Sequence, residues 1–170
     1  MSEPLASKKP ILVLGVGNIL QSDDGVGVHV VEKMRDDIQS DEVDVCDGGT
    51  AGLDLISIVD NRRVVIVVDA VNGGEKSGTV YRLTPEDIDE PNLRFDSLHQ
   101  VGLLETLNMA KMTGRAPMRT VIVGVQPEVV DWGLSLSPAV QDQIPKIINQ
   151  VKKEIELARQ DCRQANDIRW

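Results

Sequence analysis

Three segments of the chain are almost continuously apolar and β-branched. They run from Ile11 to Val16, from Val64 to Val68 and from Thr120 to Val125. Strands that are covered on both faces in a mostly parallel sheet have this pattern, because neither face needs polar side chains. Two other segments, Val43 to Cys46 and Thr79 to Leu83, alternate between apolar and polar residues. These two predict strands nearer the edges of the sheet.

Most of the intervals between these strands show helical periodicity. Ser97-Leu98-His99-Gln100 has the S-x-x-Q form of a capping box, and Ser137-Pro138 has the form of an N-cap followed by a proline in the first turn. Pro145 predicts a kink in the last helix. The spacing of apolar residues predicts helices over Gly25 to Ile38, about Leu53 to Val59, Ser97 to Met112, and Ser137 to about Ile155.

The order of these elements predicts an α/β fold. About ten glycine-containing residues join the strand ending at Val68 to the strand beginning at Thr79. That link is too short for a helical crossover, so an antiparallel return is expected. The chain should form a three-layer α/β/α sandwich with a mixed, mostly parallel sheet of about five strands. We expect one domain over residues 1–170, with an ordered core at about 10–160 and mobile tails at 1–9 and 161–170.

Composition excludes several classes of function. Eighteen Lys+Arg against 27 Asp+Glu give a net charge of −9 without a basic stripe, so we expect no binding to nucleic acid. No segment approaches the roughly 20 apolar residues of a membrane span, so no membrane partner is expected. The two cysteines, Cys46 and Cys162, form neither a CxxC motif nor a disulfide framework. The sequence therefore predicts a cytoplasmic protein.

Unusual residues follow the predicted strands at the edge where ligands bind in such sheets. Asp23 and Asp24 end a glycine-containing loop after the first strand, and Asp69 ends the apolar run from Val64 to Val68. Either member of the Asp23-Asp24 pair could instead cap a helix. Asp69 is harder to explain structurally, because burying a carboxylate costs several kcal/mol unless it is paired or faces a site.

Histidines and cysteines are few enough to test catalytic sites by elimination. His29 is expected to be a partly exposed helical residue, and Cys46 a small buried apolar residue rather than a nucleophile. His99 lies in the first turn of its helix, where the dipole favours a neutral imidazole that can bind a metal. The chain contains no HExxH, no G-x-S-x-G and no P-loop. One histidine and two or three aspartates remain, which could form an open site for a divalent first-row metal.

Several short motifs occur in order between residues 10 and 155. They are Gly15-x-Gly17-Asn18-x-Leu20-x-x-Asp23-Asp24-x-x-Gly27, Asp47-Gly48-Gly49-Thr50-Ala51-Gly52, Asp69-Ala70, Ser97-Leu98-His99-Gln100-x-Gly102-Leu103 and Val123-Gly124-Val125-Gln126-Pro127-Glu128. Together they resemble the hydrogenase maturation endopeptidases, which trim the C-terminal extension from the large-subunit precursor of nickel-iron hydrogenases.

The resemblance implies a peptidase, aspartic-type by classification, whose metal is nickel supplied by the substrate precursor. By position in the motifs, Asp24, Asp69 and His99 are the implied catalytic and nickel-recognising residues. Other divalent ions could occupy the same site. The resemblance also implies that one loop meets the peptide substrate, through Gly48, Gly49, Thr50, Ala51 and Gly52.

The implied partner is the large-subunit precursor, which a monomer would suit because the partner is large. Two alternatives remain at this point. The chain could be a chaperone that checks for nickel in the same precursor without hydrolysing it. It could also bind a nucleotide through Gly15 to Asn18, although Leu20 stands where a dinucleotide-binding motif has its third glycine.

Overall fold

The fold is a five-stranded sheet between two layers of helices. A computed structural model describes residues 8–89 and 98–167. The sheet order is β2-β1-β3-β5-β4, with all neighbours parallel except β4 and β5. This confirms the predicted three-layer sandwich and the placement of the two alternating strands at its edges. The strands are β1 (Ile11–Val16), β2 (Val43–Gly49), β3 (Val64–Ala70), β4 (Val80–Leu83) and β5 (Arg119–Val125).

Helices cover both faces of the sheet. Side chains alternate along the central strands, so successive residues of β3 such as Val67 and Val68 belong to different apolar cores. One core joins the sheet to α1 and α5, and the other joins it to α2 and α3. The helices are α1 (Val26–Met34), α2 (Leu55–Val59), α3 (Leu98–Met112), α4 (Pro138–Gln141) and α5 (Ile144–Asp167).

Two helical predictions differ from the structure. The single last helix is two helices: α4, capped by the Ser137 hydroxyl as predicted, and α5. Pro145 is the second residue of α5 and does not kink a longer helix, because the first turn needs no N–H from that position. The first helix ends at Met34 rather than at Ile38, although Ile38 still packs against the core.

The link after β3 leads into an antiparallel strand, β4, as expected, but that strand is not the neighbour of β3. β4 pairs with β5 and not with β3. Both edges of β3 are already paired with the longer apolar strands β1 and β5. The less buried β4 therefore lies outside them, at the edge.

The expected mobile tail is helical over residues 161–167, where α5 continues to Asp167. Two contacts hold this end against the sheet. Arg119 Nε lies 2.9 Å from Asp161 Oδ2, and Arg63 Nη1 donates to the Cys162 carbonyl oxygen at 3.1 Å. Cys162 also packs against the apolar core. Residues 1–7 and 168–170 of the expected tails lie outside the described residues.

One ion-pair cluster fastens α5 to the β4–β5 edge. Glu154 is fully buried and accepts hydrogen bonds from Arg82 Nε at 2.7 Å and Arg119 Nη1 at 3.1 Å. Burial alone raises the pKa of Glu154, but the hydrogen bonds and charges of the two arginines outweigh it and hold the pKa below its usual value. The charged form of Glu154 therefore stabilises the folded chain.

We expect Glu154→Gln to lower the free energy of unfolding at pH 7 by roughly 1–3 kcal/mol, because both arginines lose a charged acceptor. A lowered folded-state pKa contributes stability above the unfolded glutamate pKa of about 4.3 and loses it as the pH falls through the folded value. The gap between wild type and variant should therefore narrow below about pH 4.3 in urea titrations. Glu156→Gln is the control, since exposed Glu156 pairs with Arg159 at the surface and should contribute under about 0.5 kcal/mol. An equal loss in both variants would contradict the account.

No helix among residues 8–89 and 98–167 is both long enough and apolar enough to cross a membrane.

Candidate active site

The two adjacent aspartates of the first loop have different roles. Asp23 is buried and its carboxylate accepts four hydrogen bonds. The donors are the backbone N–H groups of Glu128, Val129 and Ser137, at 2.9, 3.0 and 2.7 Å, and the Ser137 hydroxyl at 2.8 Å. Asp23 thus anchors the segment after β5 to the segment after β1. The N-cap positions of the 3-10 turn Ser22–Gly25 and of α1 are Gln21 and Gly25, so neither aspartate occupies the N-cap position of either helix.

Asp24 lies in that 3-10 turn, Ser22–Gly25, at the carboxyl end of β1. It is 5% exposed, and its Oδ2 accepts a hydrogen bond from Asn18 N at 2.9 Å. Gly17 is required for this fold of the loop. Its φ is +134°, and a Cβ there would lie 1.9 Å from the Asp24 carbonyl oxygen. Close packing of the loop on itself therefore accounts for a glycine that could otherwise indicate a nucleotide site.

Asp69 is the last but one residue of β3 and is fully buried. Val65 and Val67 belong to the core beneath α2 and α3, so the alternation of the strand places Asp69 on that same face. The 3-10 turn that contains Asp24 lies against β3. The structure therefore brings Asp24 and Asp69 to the same end of the sheet, the edge formed by the carboxyl ends of the parallel strands.

His99 is the second residue of α3, and its side chain lies outside the described part of the structure. The position of its helix is nevertheless fixed. The next residue, Gln100, is buried and donates from Nε2 to the Ala70 carbonyl oxygen at 2.5 Å. The first turn of α3 is thus fastened to the residue that follows Asp69, on the face of the sheet to which Asp69 belongs.

The glycine-rich segment 48–52 begins in the last two residues of β2, which extends beyond the predicted end at Cys46, and it lies beside the first loop. Gly17 N donates to the Gly49 carbonyl oxygen at 2.9 Å. Gly48 is buried and Thr50 and Ala51 are exposed, so the middle of the loop is open to a partner. The hydroxyl of Thr106 in α3 donates to the Gly52 carbonyl oxygen at 3.4 Å. The five residues predicted to meet substrate therefore border the same sheet edge as Asp24 and Asp69.

Part of the predicted ligand set, Asp24 and Asp69, suits a divalent cation. Two buried carboxylates are hard oxygen ligands, and an imidazole would complete a mixed set of the kind that first-row metals accept. Among the side chains that the structure describes, no group of three His, Cys, Asp or Glu could hold a metal ion. His99, the expected third ligand, is not among those side chains.

His29 lies where the sequence predicts, whereas Cys46 is only partly buried. His29 is half-buried in α1, and Cys46 packs at the margin of the core beneath α2 and α3. Burial raises the pKa of the Cys46 thiol. The nearby Arg62 charge lowers this pKa by a smaller amount, and Asp44 raises it further. The cause is thus mainly burial rather than the neighbouring acids. A protonated thiol is a poor nucleophile.

We therefore expect Cys46→Ser to cleave substrate within about twofold of the wild-type rate, because the thiolate takes no part in the reaction. The rate should be measured by mass spectrometry, with circular dichroism as the control for folding. Loss of cleavage in a variant with an unchanged spectrum would instead support a thiol mechanism.

Comparison with known proteins decides the family. The family model described as hydrogenase maturation protease matches residues 28–154. The chain is 38% identical over 143 residues to the hydrogenase 2 maturation protease of Escherichia coli, covering 83% of this chain and 87% of that protein. The chain belongs to the hydrogenase maturation protease family. A HupD protein of Bradyrhizobium diazoefficiens is 39% identical over 142 residues, which cover 82% of this chain and 74% of that one.

Solved structures of hydrogenase maturation proteases share the fold. The structure of the hydrogenase-maturating endopeptidase HybD of Escherichia coli has a TM-score of 0.79 at 35% identity, covering 87% of this chain and 93% of that one. The predicted family and fold are therefore confirmed. Because this relative is an endopeptidase, the family does not favour the non-hydrolytic chaperone. The resemblance assigned Asp24 rather than Asp23 to the site, but the sequence did not indicate that Asp23 anchors the segment after β5, nor that Gln100 fastens α3 to β3.

Proposed function

We propose that this chain removes the C-terminal extension from the large-subunit precursor of a nickel-iron hydrogenase after nickel has been inserted. One observation supports this most. Two buried carboxylates, Asp24 in the turn after β1 and Asp69 near the end of β3, lie at the same end of the sheet as the first turn of the helix that carries His99. The family supports the protease activity, and the geometry supports these three positions as its centre.

Nickel enters this reaction as part of the substrate. Asp24, Asp69 and His99 complete its coordination in the proposed complex, so only a nickel-loaded precursor is positioned for cleavage. The cation polarises the scissile carbonyl or the attacking water. One carboxylate takes a proton from that water as its oxygen bonds to the carbonyl carbon. The C–N bond then breaks, and the proton passes to the leaving amine. Catalysis by carboxylates agrees with the aspartic-type classification.

The glycine-rich loop holds the peptide in this proposal. Exposed Thr50 and Ala51 and the backbone between Gly48 and Gly52 offer hydrogen-bonding groups to an extended chain. Processing takes place in the cytoplasm and is carried out by a monomer. Both cysteines are free, which supports a reducing compartment.

Multiple turnover tests the enzymatic role. Purified protein is mixed with a roughly 50-fold excess of nickel-loaded precursor. Complete conversion then requires each protein molecule to act many times, which binding alone cannot do. A protease shortens all the precursor and releases the C-terminal peptide. Intact precursor in a stable complex with the protein would instead support the chaperone.

A further inference from the structure

Two loops at the catalytic edge of the sheet expose apolar side chains. One is the loop after β1, and the other joins β5 to α4. Trp132 is 77% exposed and Leu134 is 70% exposed, which is unusual for side chains of this size. We call the set the loop surface, and its members are Ile19, Leu20, Val129, Val130, Trp132 and Leu134.

Hydrogen bonds join the two loops into one surface. Gln21 and Gly133 form a parallel β-bridge. Gly133 N donates to the Leu20 carbonyl oxygen at 3.0 Å, and Ser22 N donates to the Gly133 carbonyl oxygen at 2.8 Å. Leu20 therefore lies next to the segment that carries Trp132 and Leu134, and their apolar side chains form neighbouring parts of a single surface.

The loop surface is also fixed relative to the candidate catalytic residues. Its anchor is Asp23, whose four hydrogen bonds reach Glu128, Val129 and Ser137. Asp24 follows Asp23 directly, so the anchored surface begins one residue from the candidate site. These four hydrogen bonds hold the loop in place although its apolar side chains are open to solvent.

Charge around the loop surface indicates the partner's chemistry. Glu128 and Asp131 are exposed within the same loop, beside Val129, Val130 and Trp132. An apolar centre with an acidic border is complementary to apolar side chains flanked by Lys or Arg. A large exposed tryptophan is the kind of residue that dominates binding at such centres.

We propose that the loop surface docks the stretch of the precursor beside the scissile bond, through apolar side chains of that stretch with basic neighbours. The inference rests on the proposed function, since it takes the precursor as the partner. Docking there places the precursor chain across the sheet edge that holds Asp24 and Asp69. It adds a recognition surface away from the nickel itself, so binding has a component that does not depend on the metal.

Lysine substitutions test the docking role by kinetics. Trp132→Lys and Leu134→Lys should each raise KM for nickel-loaded precursor at least tenfold, with kcat unchanged within about twofold, because they remove binding and leave the catalytic groups in place. Met112→Lys is the matched control. Met112 is 87% exposed at the far end of α3, one helix length of about 22 Å from the turn fastened to β3. The KM of the Met112→Lys variant should equal that of the wild type.

A binding measurement separates this proposal from the proposed function. The sequence has two tryptophans, so Trp170→Phe leaves Trp132 as the single site for 5-fluorotryptophan. Unlabelled nickel-loaded precursor should shift the ¹⁹F resonance, and nickel-free precursor should shift it too. A shift by nickel-loaded precursor that is not followed by its shortening would contradict the proposed function and support docking. Shortening with no shift, or with wild-type KM in both lysine variants, would overturn docking. One further result would overturn docking: a wild type that is a dimer, together with lysine variants that are monomers with unchanged KM. The surface would then join two copies of this chain.

Discussion

Asp69→Asn should slow the shortening of nickel-loaded precursor by roughly 100-fold or more while leaving the chain folded. Asparagine keeps the size and one oxygen of the aspartate but lacks its charge and its ability to accept a proton. Asp69 is fully buried at the end of β3, on the face of the sheet where α3 begins. The loss should therefore fall on chemistry and metal recognition rather than on packing. Asp24→Asn and His99→Ala should have effects of the same kind.

The measurement is the initial rate of appearance of the shortened subunit by intact mass spectrometry. Asp142→Asn provides the matched control, because Asp142 is exposed beyond the end of α4. It should process precursor at the wild-type rate. A wild-type rate in Asp69→Asn, Asp24→Asn or His99→Ala would remove that residue from the proposed site.

Gly27→Ala should lower the free energy of unfolding by about 3 kcal/mol or more. A Cβ at Gly27 would lie 2.1 Å from the Val68 carbonyl oxygen and 2.4 Å from the Val16 carbonyl oxygen. Both are backbone atoms of central strands, so α1 must move away from the sheet to make room. Because Asp24 lies two residues before this helix begins, the displacement should also reduce the cleavage rate.

Urea unfolding of wild type and variant gives the change in stability. Gly114→Ala is the control, since a Cβ there meets nothing within 4 Å, although its φ of +70° is unfavourable for alanine. That conformation costs about 1–2 kcal/mol without any clash. A loss in Gly27→Ala no greater than in Gly114→Ala would show that α1 does not need this close contact with the strands.

Much of the fold follows from local patterns. The continuously apolar β1 and β3 are buried on both faces, and the alternating β2 and β4 lie at the edges as their patterns predict. The partner of β4 could not be predicted in this way, because an alternating pattern indicates partial burial but does not identify the neighbouring strand. The role of Pro145 was also ambiguous in the sequence, since proline fits either a kink within a helix or the first turn of a new helix.

The candidate site was predictable by residue type but not by role. Asp69 stands out in the sequence because a carboxylate ends a strand of valines and isoleucine, and the structure places it fully buried at the expected edge. The residue pattern alone does not distinguish Asp23 from Asp24, and the choice of Asp24 came from the resemblance to the maturation endopeptidases. The structure gives the role of Asp23, because the chain after β5 returns to bring Ser137 against it. Gln100 likewise fits a capping box in sequence, yet its amide reaches Ala70 across 30 positions of the chain.

The central claim is that this protease recognises nickel already held by its substrate. The most direct test compares nickel-loaded and nickel-free precursor, each incubated with the wild-type chain and followed by intact mass spectrometry. We expect the C-terminal extension to be lost from the nickel-loaded precursor alone, and adding nickel to the other sample to restore its processing. Shortening of both precursors at the same rate would contradict the claim.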